Sequence, residues 1–559
     1  MEEDYYKSES INSRYNRYIS GGVGSSARKK NHFEDKKKLR EGCSAYKIDS
    51  KEIVPPQNLP KWDDRNWGGP PIDYDPEMKS VYVDRSDAHT LLIGSTGSKK
   101  SRLIVMPMVR ILGSAGENMV ICDPKGEIHQ RTSGFLAQQG YAVHAINLRN
   151  PNKSDGWNIL ERPYQLYCRG EVDKACELIN DAAINLMPIN GKDPYWDYSA
   201  RDLMFGLTLL LFELCQKKHL DGKVANVRSV LKLRQELFFS TETSRIKATW
   251  LWKFVKENPQ IFSRLVGIAI CPSSTMSCIL SVFDQHMTCF SLQPKITEIL
   301  SQTTFDLKSM EDGKEAIFLI LPDEKTTFHK IISIFVKQIY EFLIDNAYQR
   351  RNNRYENRIN FVLDEFSSLP QIPDFPQMIS ASRSRNIRFT LILQSKNQLT
   401  QRYEAEAGTI MSNCANWMFL TTRETELLKD LSLLSGTISP SNEPLMTISH
   451  LQHMEKDSGE CLILNDRKYP YIAHLPDIDV YDENGTAYER LPFHTGEEIF
   501  WPEEYEQADY FENLAKSLMK VDEVEAEEKA DFIARFKDIF AENSSEDSSE
   551  DSSEDSSED

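Results

Sequence analysis

His89 to Ser101, HTLLIGSTGSKKS, is the stretch from which the chain is best read outward. Leu91 to Ile93 reads as a short apolar strand, followed by a tight turn and a helix from Ser101 to about Leu112. Gly94, Gly97, Lys100 and Ser101 stand at the spacing G-x-x-x-x-G-K-[ST] of a phosphate-binding loop. Small residues let successive backbone N–H groups converge on phosphate. The lysine ammonium reaches the β/γ oxygens, and the following hydroxyl ligates magnesium. The helix adds the positive end of its dipole. Gly94, Ser95, Thr96, Gly97, Ser98, Lys99, Lys100, Ser101 and Arg102 are therefore the candidate nucleotide-binding residues. One position departs from the pattern: Lys99 replaces the last glycine. A side chain there restricts a turn that glycine normally permits, which weakens the expectation of hydrolysis more than that of binding. The bland alternative is a Gly/Ser turn before a surface helix with two incidental lysines.

The 559 residues suffice for two or more domains. The apolar run Leu203 to Cys215 has 13 residues and includes Thr208 and Glu213. It is too short for a membrane span of ~20 and reads as a buried helix. Met1 to Tyr18 is polar and charged with no signal-peptide pattern, so a cytoplasmic protein is expected, reaching any membrane through a partner. The ten cysteines show no CxxC pair or zinc spacing and read as reduced structural thiols. Net charge is −19, and the four SSED repeats from Ser544 to Asp559 carry eight of the negatives. The remainder is still acidic, so DNA handling would need a local basic channel.

Residues 1–55 read as a flexible arm with basic clusters Arg28-Lys29-Lys30 and Lys36-Lys37-Lys38-Leu39-Arg40. The stretch 56–160 alternates strand, helix, strand, helix and strand, the signature of an α/β parallel sheet covered on both faces. Its second strand ends in Asp123, which places that residue at the strand ends where such sheets bind ligands. From 161 to 302 helical patterns dominate: Asp173 to Leu186, Tyr195 to Leu220, Val227 to Leu237, Ala248 to Glu257 and Ser273 to Phe290. The sheet resumes over 303–475 with Ala316 to Leu321, the helix Phe328 to Tyr348, and strands Ile359 to Leu363, Phe389 to Leu393, Trp417 to Leu420 and Glu460 to Leu464. Residues 476–540 hold two amphipathic stretches, and 541–559 form an acidic tail expected to be disordered.

FVLDE, residues 361 to 365, supplies the acids for nucleotide chemistry. Asp364 is positioned to hold magnesium opposite Ser101, and Glu365 to polarise the attacking water. Gln394 ends the next strand and is a candidate γ-phosphate sensor. Arg383 and Arg385 lie just before that strand, and one of them would serve as an arginine finger toward a neighbouring subunit's nucleotide.

HTLLIGSTGSKKS, DPKGE (123–127), WNIL (157–160), DPYWDYSA (193–200), LDEFSSLPQIPDF (363–375), SRSRNIRFTLILQSKNQL (382–399) and SNCANWMFL (412–420) together resemble the TraG/TraD coupling proteins of type IV secretion and conjugation. The resemblance runs from about 85 to about 475. It implies a RecA-like P-loop NTPase sheet interrupted by an all-α domain, ATP and Mg²⁺ as ligands, and a homo-hexameric ring. It also implies ATP-driven delivery of a relaxase-bound single strand to a channel with its own secretion ATPases. Carried over by residue, Lys100 and Ser101 take the phosphate and magnesium roles, Asp364 and Glu365 the second acidic motif, Gln394 the sensor and Arg383 the finger. The membrane-spanning segment usual in the family is not found before the loop, which implies a separate membrane anchor protein, or docking on another channel component through residues 1–55 or the helical lobe. Two alternatives remain open: a non-hydrolysing nucleotide-binding receptor of the same channel, and a general DNA translocase.

Overall fold

The computed structural model describes residues 33–56, 65–189, 193–291, 293–482 (without 323, 326, 439, 466 and 467), 490–493 and 503–520. Strands β1 (Ser44–Lys47), β2 (Glu52–Val54), β3 (Pro71–Asp75) and β4 (Ser80–Val83) form an antiparallel sheet in the order β2-β1-β4-β3. This corrects the expectation of an arm through residue 55. Leu39, Tyr46, Ile48 and Ile53 are buried, spaced thinly enough among polar residues to escape a composition argument. Within the cluster Lys36 to Arg40, the Arg40 guanidinium is tied to Asp73 at 2.5 Å and Asp75 at 2.7 Å. Arg28-Lys29-Lys30 lies outside the described residues.

The main sheet comprises β5 (Thr90–Ile93), β6 (Asn118–Asp123), β7 (Ala142–Asn147), β8 (Glu315–Ile320), β9 (Ile359–Leu363), β10 (Ile387–Leu393) and β11 (Asn416–Phe419). After a short hairpin of β12 (Thr437–Ile438) and β13 (Glu443–Pro444), β14 (Glu460–Asn465) and β15 (Tyr471–His474) complete it. Its order is β15-β14-β11-β5-β10-β9-β6-β8-β7. The seven strands from β11 to β7 are parallel, and β14 and β15 extend the edge as an antiparallel pair. The α/β expectation therefore holds. Alternation along each strand splits the core in two. Leu91, Ile93, Val120 and Cys122 face one side, Leu92, Met119 and Ile121 the other. The second side is covered by the helices Met106–Ala115 and Glu127–Gln138 and by the small sheet; the first by the helix His329–Tyr348 and a helical lobe.

Between β7 and β8 the described residues form helices and no strand. The helices Glu161–Cys168, Pro259–Ile270 and Pro294–Ile299 were not expected. In the last two, proline reads as a breaker in sequence but sits in the first turn, where its missing N–H costs nothing. Leu203 to Cys215 is the mostly buried body of the helix Tyr195–Lys217. The lobe is fused to the sheet. Trp157 meets Phe335 at 4.3 Å, Gln338 donates to Ile159 O at 2.9 Å, and Lys330 donates to Leu186 O and His286 O at 3.2 and 2.8 Å. Among the described residues no single helix is long and apolar enough to cross a membrane; only the pair Pro259–Ile270 and Ser273–Ser291, bent by 118°, passes that test together.

The chain after β15 returns to both bodies. A turn at Ile478–Tyr481 packs by the loop-bearing end of the sheet. A helix from 510 to 520 docks on the lobe, with the Glu512 carboxylate accepting N–H groups of Trp250 and Leu251 at 2.7 and 3.0 Å. The stretch Phe532 to Phe540 and the SSED repeats fall outside the described residues.

Strand β7 closes one edge, and its His144 gives the fold a pH dependence. The imidazole lies 3.2 Å from Glu315 and 4.0 Å from Asp155, with Phe305 stacked at 4.8 Å. Burial lowers its pKa, but the two carboxylates outweigh burial and hold it at about 9. A raised histidine pKa stabilises the fold fully below the unfolded value of ~6.5 and loses that contribution as pH climbs through 9. We expect about 3 kcal/mol of stability to disappear between pH 6 and 9.5. Urea unfolding at both values should show that loss in the wild type and a flatter profile in His144→Gln.

Candidate functional site

The loop after β5 is held from both neighbouring strands: Gly94 N donates to Leu393 O at 3.1 Å, and Ser95 N to Thr421 O at 2.8 Å. A Cβ added at Gly94 would lie 2.6 Å from Ser98 Oγ, so a side chain there would displace that hydroxyl and crowd the Lys100 stem. Gly97 and Lys99 both have left-handed backbones, with φ of 78° and 66°. Lys99 thus adopts the conformation a glycine would supply, at a cost of ~1–2 kcal/mol for an L-residue. Its Nζ sits 3.0 Å from Asp457 Oδ1. Lys100 is buried, and its Nζ donates to Gly94 O and Ser95 O. Ser101 opens a wide π turn, Ser101–Val105, before the helix Met106–Ala115, rather than one continuous α-helix. Pro107 lacks the N–H that an α-helix would give to Leu103 O, so the turn opens there.

The strand order brings the other predicted groups to this loop. β10 lies between β5 and β9, and β6 follows β9. The ends of four consecutive strands therefore present the loop, Gln394, Asp364 with Glu365, and Asp123. Asp364 and Asp123 are buried. Burial chiefly, then the charge of Glu365, pushes Asp364 up to about 7, with Lys100 pulling it down. Burial also lifts Asp123 to about 6 against three backbone N–H groups. Burial lowers the Lys100 pKa, opposed by Glu365 and Asp364. Glu365 has a left-handed backbone, φ 54°. Its two carboxylate oxygens accept from Gln394 Nε2 at 2.6 and 2.7 Å, and Gln394 Oε1 accepts from Thr96 Oγ1 at 2.9 Å.

These groups line one cleft of about 900 Å³. Thr96, Gly97, Ser98, Lys99, Lys100, Ser101, Arg102, Asp123, Asp364, Glu365 and Gln394 all border it. Two are already committed to structure. Arg102 Nε donates to Asp477 Oδ2 at 2.9 Å, and its Nη2 contacts Asp477 and Asp479. Asp123 Oδ2 accepts His129 N at 2.8 Å and holds the first turn of Glu127–Gln138. Arg383 is not brought to the cleft. It lies before the start of β10, roughly 20 Å of strand (seven residues at ~3.3 Å each) from Gln394, with Nε on Asp87 at 2.8 Å. Arg385 donates to Ala381 O and Ser384 Oγ.

Sequence reasoning passed over Lys125, Glu127, His329, Ser367, Ser368, Gln398, Gln401 and Arg402, which also line the cleft. Lys125 and Glu127 were legible within DPKGE. Gln398, Gln401 and Arg402 recur at i, i+3 and i+4 on the helix Lys396–Tyr403, a spacing that puts them on one face. No local pattern marks His329. Magnesium fits the donor set. No three His, Cys, Asp or Glu side chains among the described residues form a closed metal site; a buried carboxylate (Asp364) and a helix-start hydroxyl (Ser101) lining the same cleft are donors of the kind Mg²⁺ uses when phosphate oxygens and water complete its shell.

The family model for type IV secretory system conjugative DNA transfer matches residues 40–457. The conjugal transfer protein TraG of Escherichia coli is 25% identical over 379 residues, 64% of this chain and 56% of its own. TraG of Rhizobium radiobacter is 24% identical over 330 residues, 58% of this chain and 48% of its own. The coupling protein VirD4 of Bartonella quintana is 21% identical over 251 residues, 45% and 37% of the two chains. The chain thus spans about half the length of the TraG relatives. Among solved structures, plasmid coupling protein TrwB in complex with the non-hydrolysable ATP analogue ADPNP superposes with a TM-score of 0.54 at 16% identity, over 86% of this chain and 99% of that one. TrwB in complex with ADP and Mg²⁺ gives 0.51 at 16%, over 84% and 100%. The expected architecture, a parallel α/β sheet with an inserted helical lobe, stands as the fold shared with these structures.

Proposed function

The chain belongs to the type IV secretory system conjugative DNA transfer family, and on that premise we propose that it is the coupling ATPase of a conjugative channel. The observation that carries this reading is the meeting of Lys100, Asp364, Glu365 and Gln394 around one cleft. In it, Lys100 would bind the β/γ-phosphates, while Ser101 and Asp364 would hold Mg²⁺. A bound Mg²⁺ neutralises charge on the phosphoryl oxygens. Glu365 takes the proton of the attacking water, and Gln394 reads the terminal phosphate. Arg383, at the opposite strand end, would serve as a finger only toward a neighbouring copy's nucleotide in a homo-hexamer. We propose further that residues 56–160 and 303–475 are one nucleotide-binding domain and that the lobe 161–302 meets the relaxase with its single-stranded DNA. The channel ATPases and a separate membrane anchor would be the remaining partners, and the chain would sit at the cytoplasmic face of the membrane.

Steady-state phosphate release with and without single-stranded DNA tests the motor. The wild type should exceed a Lys100→Ala control by 10²-fold or more, roughly the loss seen when one charge-stabilising donor is removed; equality sinks the motor. One observation favours the receptor reading instead: the left-handed Lys99 turned to Asp457. That ion pair is exposed (29% and 92%), so it contributes at most ~1 kcal/mol. For a motor, Lys99→Gly should change turnover by less than about threefold, below ~1 kcal/mol in barrier. Activation of about tenfold or more, ~1.4 kcal/mol, would identify a throttled receptor.

A further inference from the structure

We infer that Thr96 is a positioning residue that acts through Gln394 on Glu365. The inference rests on the reading of the cleft as a site of nucleoside triphosphate hydrolysis. The hydrogen bonds determine the orientation of the amide. An ionised carboxylate only accepts, so Gln394 must turn Nε2 toward Glu365, where it meets both oxygens at 2.6 and 2.7 Å. Oε1 then faces the phosphate loop, and Thr96 Oγ1 donates to it at 2.9 Å. The result is a hydrogen-bonded chain from the loop, across the end of β10, to the left-handed residue that ends β9. A left-handed non-glycine residue persists only where its surroundings over-determine it, and such residues gather at functional sites.

This chain has a consequence during turnover. The oxygens of a terminal phosphate are acceptors, as are those of Glu365, so both compete for the same Nε2–H groups. With Oε1 anchored by Thr96, the amide pivots between the two partners and keeps its donor end on the reacting side. Without that anchor Oε1 has lost its partner in the phosphate loop, and the amide is free to swing as a whole away from the reacting side, which loosens its hold on Glu365. Thr96 therefore controls the timing and placement of the base, while the phosphate grip of Lys100 and the loop N–H groups is untouched.

The test uses the full chain carrying Thr96→Val or Thr96→Ser, each also combined with Gln394→Ala. Fluorescent nucleotide titration reports binding, and phosphate release reports kcat and KM. We expect Val to lower kcat about tenfold, the worth of one well-placed hydrogen bond, with KM and nucleotide affinity within about twofold and most of kcat recovered by Ser. In the Gln394→Ala background Val should add no further loss, because residues acting as one unit are not additive. An unchanged kcat, a rise in KM alone, failure of Ser to recover, or an equal loss in the Gln394→Ala background overturns the role of Thr96. A wild type that binds nucleotide yet is no faster than Lys100→Ala overturns the hydrolytic reading, and the role of Thr96 falls with it.

Discussion

Glu365→Gln is expected to slow nucleotide hydrolysis by about 10²–10⁴-fold, the usual contribution of a general base, while Mg–ATP still binds. The amide matches the carboxylate in shape, so the turn Phe366–Ser368, fastened to Glu365 O by Ser368 N at 2.8 Å and Ser368 Oγ at 2.7 Å, stays in place. What would be lost is the group proposed to take the water proton. Binding survives because Lys100, Ser101 and Asp364 are unchanged. Single-turnover phosphate release paired with equilibrium nucleotide titration separates the two effects. A variant that hydrolyses at the wild-type rate would move the base elsewhere, and His329, buried with Nδ1 on Ser368 O and lining the same cleft, would be the next residue to test.

Glu117→Ala is expected to cost about 3–5 kcal/mol of folding stability, the penalty for leaving a buried charge without its partner. Glu117 is 1% exposed and lies just before β6, at the opposite strand ends from the cleft. Its Oε1 accepts Gly68 N at 2.7 Å, and its Oε2 accepts Asn360 Nδ2 at 2.8 Å. Arg388 Nη2 approaches Oε2 at 3.5 Å, and Arg358 Nη1 lies 3.9 Å from Oε1. Both arginines are buried. Burial first, then the charge of Arg388, drives Arg358 down to about 10, against the pull of Glu117. Removing the carboxylate takes the leading counter-charge from Arg358 and leaves it beside Arg388 with only Asp84 and Asp87 to offset the repulsion. Glu117→Gln keeps the shape and an acceptor for one of the two N–H groups, and should fall between alanine and wild type. Urea unfolding of the three proteins tests the order, and equal midpoints for Ala and wild type would show that the carboxylate contributes nothing.

Much of the architecture was legible because it is written locally. Strand–turn–helix alternation around HTLLIGSTGSKKS, the apolar runs NMVICD and INFVL, and the acids directly after INFVL carry their meaning in periodicity and spacing, which depend on backbone geometry over a few residues. The small N-terminal sheet was illegible for the opposite reason: its strands have three to five residues, and they are stable only when paired with one another and laid over the helix that follows the phosphate loop.

By itself the sequence determined that a strand leading into a glycine-bearing turn with Lys100 and Ser101, a parallel sheet and an acidic strand end exist in this chain. The tertiary structure alone decided that β10 passes between β5 and β9, so that Gln394 touches both Thr96 and Glu365. It also decided that Arg102 and Asp123 border the cleft but are spent on Asp477 and His129, that Lys99 turns to Asp457, and that Arg383 stands at the far end of its strand. These outcomes join residues up to 375 positions apart. Strand order and side-chain competition for partners set them, and neither leaves a periodic trace in the chain.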